Sequence, residues 1–110
     1  MRKELTTVEY LGDTIHLFGD RYTCDDSKAI IAEYGDGEPF ATVTINLSDY
    51  NVALENDEIV INHDLLYCGE FLEKVIEVLG FPGVTMKPIS YGYANSHIMK
   101  LRPEFLKYWE

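Results

Sequence analysis

The sequence predicts an α+β domain: an antiparallel sheet of about 6–7 strands packed on one main helix, in the order βββββαββ. Two features carry this prediction. After the turn residues Gly35-Asp36-Gly37, the stretch GDGEPFATVTINL alternates, with Ala41, Val43, Ile45 and Leu47 on one side and Phe40, Thr42, Thr44 and Asn46 on the other. That period of two marks a strand with one buried face. Further on the period becomes helical, and Leu65, Cys68, Phe71, Leu72, Val75, Ile76 and Leu79 fall on one side of a wheel.

In chain order, residues 6–11 and 14–18 flank Gly12-Asp13, a dipeptide suited to a two-residue hairpin turn. Ile15 and Leu17 share one face of the second strand, His16 and Phe18 the other. GDRYTCDDS at 19–27 reads as a loop, and KAIIAEY at 28–34 as a third strand. The alternating stretch then follows through too short a connection for a parallel crossover, so its pairing should be antiparallel.

SDYNVALEND at 48–57 reads as an acidic loop and EIVIN at 58–62 as a fifth strand. Asp64 is placed to cap a helix of about four turns that ends at Gly80 and Phe81-Pro82-Gly83. Two strands follow, at 85–91 and 96–102, with His97, Met99 and Leu101 inward and Lys100 and Arg102 outward. Pro103 can begin a short helical turn carrying Phe105, Leu106, Tyr108 and Trp109. The face bearing Thr42, Thr44 and Asn46 is left for solvent, the late aromatics or a partner.

The whole sequence, residues 1–110, fits a single domain with its own core. No apolar run approaches the length of a bilayer span, and MRKELTTVEY lacks the apolar centre of a secretory leader. Cys24 and Cys68 form neither a ligand-spaced set nor a disulfide framework, so a reduced, cytoplasmic protein is expected.

Charge is the most informative feature. Nineteen acidic residues against nine basic ones give a net charge of −10, which disfavours direct binding to nucleic acid or anionic lipid. No Lys or Arg lies between Lys28 and Lys74, an interval with ten carboxylates. Glu70, Glu73 and Glu77 recur on successive turns of the predicted helix, while Asp36, Glu38, Asp49, Glu55, Asp57 and Glu58 sit at turns and loop ends. A dense carboxylate row can imitate the phosphates of a nucleic acid toward a basic protein, with Tyr34, Tyr50 and Tyr67 as aromatic anchors. Lys74 interrupts the row and is spaced to pair with Glu70.

GEPFATVTINL, FLEKVIEVLGF and SYGYANSHIMKLRPE, in this order and spacing, resemble a family of small bacterial proteins of unknown function carried as cargo on conjugative and other mobile elements. The resemblance covers roughly residues 5–105 and implies a genetic context in which accessory proteins often blunt host defence. It transfers no catalytic residue.

Catalytic and metal chemistry are weaker expectations. Cys68 with His97 would be a thiol and its base, but Cys68 lies mid-way along the apolar helix face, where cysteine behaves as a small hydrophobe. His63, Asp64 and Cys68 are too few and too mixed for a metal centre, and helix capping accounts for Asp64. His16 reads as a surface strand residue. No cofactor, metal or catalytic residue is therefore expected. The expected function is a non-enzymatic inhibitor of anti-CRISPR or anti-restriction type that docks on a basic partner, concretely a host nuclease. The alternative is a protein-interaction module using the open sheet face, acidic only for solubility.

Overall fold

The computed structural model describes residues 2–47, 54–62, 64–65, 69–91 and 94–109. Among the described residues, seven strands form two antiparallel sheets. The first contains β1 (Lys3–Tyr10), β2 (Asp13–Arg21), β3 (Lys28–Tyr34) and β4 (Pro39–Thr42) in that spatial order. The second contains β5 (Glu58–Val60), β6 (Lys87–Tyr91) and β7 (Ala94–Lys100), with β7 in the middle. The described residues add one α-helix, α1 (Gly69–Leu79), and a 3-10 helix, Pro103–Trp109.

The alternating stretch is not one central strand. β4 ends at Thr42, and the chain then crosses from one sheet to the other. The Val43 amide donates to Ile30 O of β3 at 2.8 Å, while its carbonyl accepts from the Asn62 amide at 2.8 Å. Ile45 N then donates to Val60 O at 3.1 Å. Thr44, expected to face outward, is instead buried at this corner. Its hydroxyl accepts the Ile30 amide at 3.1 Å, replacing the ladder partner that the departing strand withdraws. Tertiary crossing thus overrides the period of two. Asn46 is half-buried and bonds Asp25 and Ser27, so of the three outward residues only Thr42 is exposed.

The first hairpin turns one residue earlier than expected. Tyr10 pairs with Asp13, so Leu11-Gly12 forms the turn, with φ of 51° and 83°. Positive φ at both central residues is the type I′ geometry, whose twist matches the flanking strands. β2 and β3 follow the expected pattern, with Ile15, Leu17, Ile30 and Ala32 fully buried and His16 and Phe18 on the outer face.

The predicted four-turn helix is shorter. α1 has 11 residues, about three turns, and Asp64–Leu65 belong to a separate 3-10 turn. Asn62 opens that turn, since its Oδ1 accepts from Asp64 N at 3.1 Å and its carbonyl from Leu65 N at 3.0 Å. Asp64 lies in that 3-10 turn, and residues 66–68, between it and α1, lie outside the described residues. Phe71, Leu72, Val75 and Leu79 bury one face of α1 against Leu5, Val8, Ile59, Ile61, Met99 and Leu101 in a single core. The Arg102 guanidinium donates to Glu77 O at 2.7 Å and satisfies a carbonyl in its last turn.

The 3-10 helix closes the remaining end of the core. Trp109 packs over Gly19, the small residue that continues the Ile15 and Leu17 face, and its indole donates to Asp20 O at 2.7 Å. β5 is buried on both faces, a departure from the expected one-sided sheet. Ile59 faces the main core, whereas Val60 packs with Leu47, Ile45, Ile89 and Ile98 behind the second sheet. No helix among the described residues is long and apolar enough to cross a membrane.

Candidate protein-docking surface

The meander β1-β2-β3-β4 brings two turns to one end of the first sheet, Leu11-Gly12 and residues 35–38. In the second turn, Gly37 N donates to Tyr34 O and Asp36 Oδ1 accepts from Glu38 N at 3.0 Å. This local bonding fixes the backbone and leaves Asp36 and Glu38 exposed. Asp13, Tyr34, Gly35, Asp36 and Glu38 border one open hollow, whose lining among the described residues contains three carboxylates and no cation.

The same end receives the start of α1. Phe71 meets the Tyr10 ring at 5.5 Å and the Phe40 ring at 4.7 Å between centroids, both edge-on. Tyr34 packs on Phe40 at 5.3 Å, so it is half-buried and only borders the hollow. These aromatic contacts tie the helix start, with the exposed Glu70, to the two turns. Glu73 and Glu77 continue outward along α1 and are exposed. The Glu70–Lys74 spacing yields no ion pair among the described residues. The row from Glu70 to Glu77 spans about 10 Å, at about 1.5 Å per residue.

Glu55, Asp57 and Glu58 lie elsewhere. Lys28, at the far end of β3 from Tyr34, donates to Asn56 O at 2.6 Å and so places residues 55–58 near that end. The length of β3 corresponds to about 20 Å. Glu58 is buried and paired with Lys87 at 2.6 Å, and Asp57 is paired with Lys100 at 3.4 Å. The bond from Lys87, then the Glu55 amide, hold the Glu58 carboxyl below its usual range, and Glu58 in turn raises Lys87. Glu55, Asp57 and Glu58 therefore do not extend the acidic row: two are neutralised by cations and all three are remote. Asp49, Tyr50 and Tyr67 lie outside the described residues.

A cleft of about 310 Å³ near this second end is lined by charges of both signs, including Arg21, Asp25, Asp26, Lys28 and Glu58. Burial lowers the Lys28 ammonium from its ordinary value, but the group is already bonded to Asn56. On the outer face of the first sheet, Arg2 pairs with Glu33 and stacks on Phe18, while His16 pairs with Glu4. The Arg2–Glu33 pair cancels its own charge on this face.

His97 is half-buried on β7, and its Nδ1 is buried with no hydrogen-bond partner among the described residues. Cys68 and His63 lie outside the described residues, so the thiol–imidazole pairing has no geometry to weigh. Cys24 is an exposed free thiol in the 22–27 loop. No group of three His, Cys, Asp or Glu side chains suited to a metal occurs among the described residues. Asp13 and Leu11 are members of the acidic end that the sequence does not mark, because each reads equally as an ordinary part of the first hairpin. The hairpin register, once known, places them there.

Neither a family model, nor a curated protein, nor a solved structure matches this chain.

Proposed function

We propose that the chain is a non-enzymatic binding protein that docks through its acidic end on a basic partner protein. The observation that carries this reading is the hollow lined by Asp13, Asp36 and Glu38 with no cation among its described lining residues, with Glu70 brought to the same end by the Tyr10–Phe40–Phe71 contacts. Glu73 and Glu77 extend the negative field along α1. Carboxylates held on turns and a helix lose little conformational freedom on binding, and the field accelerates encounter with an oppositely charged surface.

In its most concrete form the partner is a host nuclease, and the chain is an anti-defence inhibitor of anti-CRISPR or anti-restriction type. Net charge −10 and the resemblance to mobile-element cargo proteins support that form. The acidic end is smaller than a full phosphate-like row, because Asp57 and Glu58 are neutralised by lysines. Inhibition therefore rests on blocking one basic contact surface rather than on tracing a long duplex.

The test is affinity chromatography on the immobilised protein at low and high salt, followed by calorimetry on the purified partner. Asp36→Asn with Glu38→Gln and Glu70→Gln should lower affinity by at least about tenfold and flatten its salt dependence. Glu55→Gln, at the opposite end, should leave both unchanged. Equal binding by both variants would remove the reading. A second reading has its own observation: Ile45, Ile89 and Ile98 are only partly buried behind the second sheet. A partner using that face would be insensitive to the acidic substitutions and sensitive to Ile89→Asp.

A further inference from the structure

Leu11 is the most exposed large hydrophobic side chain described, at 79% of its full accessibility. It also occupies the first central position of a type I′ turn, with φ of 51°. That position favours Asn, Asp or Gly, because a Cβ crowds the following carbonyl in the left-handed region. Leucine therefore serves neither the backbone conformation nor the packing of this chain. Asparagine would serve the turn better and leave no apolar group in water.

We infer that Leu11 is an apolar anchor inserted into a pocket on the basic partner, beside cations that meet Asp13, Asp36 and Glu38. This rests on the docking reading above and adds the kind of surface the partner must offer. Asp13 follows the turn directly and borders the hollow with Asp36 and Glu38, so the anchor stands at the edge of this acidic rim. Coulomb attraction between exposed charges is screened and weakly directional, whereas one desolvated apolar side chain at the centre of a contact fixes register. A rigid hairpin tip presents it with little entropy to lose. Charge decides the occupant. A second copy would bring an identical acidic end against this one, and an anionic bilayer would repel it.

Leu11→Asn separates folding from binding. It suits the turn, so the melting temperature should hold or rise. The proteins retained by the wild type at low salt are identified, the most strongly retained basic one is purified, and it is titrated against wild type, Leu11→Asn and Asp36→Asn with Glu38→Gln. The expected result is a loss of at least about 30-fold for Leu11→Asn with an unchanged salt slope. For the double variant we expect weaker binding with a shallower slope. If Leu11→Asn binds within twofold of wild type while the double variant fails, docking stands and the anchor is overturned. If the wild type retains no basic protein, or the double variant also binds as wild type, the docking reading itself falls and the anchor with it. Self-association in sedimentation, or binding to phosphatidylglycerol vesicles that Leu11→Asn abolishes, would likewise overturn a protein pocket as the occupant.

Discussion

Tyr22 Oη lies 2.9 Å from Thr44 Oγ1, and the same threonine oxygen accepts the Ile30 amide. One hydroxyl thus ties the 22–27 loop, β3 and the corner where the chain changes sheets. Thr44→Val keeps the shape and removes the oxygen, leaving the Ile30 amide without its acceptor. We expect a loss of about 1–3 kcal/mol in denaturant unfolding. Burial already raises the Tyr22 phenol, and the bond to Thr44 opposes that shift. In Thr44→Val the phenol should therefore titrate at still higher pH in ultraviolet difference spectra. A downward shift would contradict the assignment.

A side chain at Gly19 would be crowded by Trp109 and Leu5. A Cβ there would stand 3.0 Å from a Trp109 ring carbon and 3.1 Å from Leu5 Cδ2. Gly19→Ala should displace the 3-10 helix and cost about 1–3 kcal/mol, with a red shift of the single tryptophan's emission. Unchanged emission and stability would mean that Trp109 does not seal this end.

Stability should depend on acid through Glu58. Its folded-state pKa is depressed, so its contribution is present above the ordinary carboxylate range and lost as pH falls through the lower folded value. Glu58→Gln should destabilise at neutral pH by about 2 kcal/mol and remove part of the acid slope of the melting temperature. Lys87 is raised, so its share persists below the ordinary lysine range and fades as pH climbs through the higher folded value. A variant with the wild-type acid slope would show the pair to be inert.

Glu73 and Glu77 are exposed, four residues apart on α1, and neither is paired among the described residues. Glu73→Gln should raise stability by about 0.2–0.5 kcal/mol, an effect that shrinks with added salt. A salt-independent loss would point to an unrecognised contact.

Much of the architecture was legible because periodicity reports burial directly. The Ile15/Leu17 face, the third strand at 28–34 and the Phe71–Leu79 stripe all stand where their spacing put them. Thr44 and Glu58 were not legible. A threonine in an alternating run reads as outward until the strand is known to leave its neighbour. The partner of Glu58, Lys87, is distant in sequence and meets it only across β7. Continuity of charge along a chain likewise says little about continuity in space: β3 carries Asp36 and Glu38 away from Asp57 and Glu58.

Val43 has a wider consequence. Its amide belongs to one sheet and its carbonyl to the other, so neither sheet can separate from its neighbour here without releasing the second. The two sheets should open as one cooperative unit, and the amides of Val43, Ile45 and Asn62 should exchange with deuterium only through global unfolding. A molecule joined in this way has no soft seam between its halves, and the hairpin tip it presents to a partner is braced by the whole.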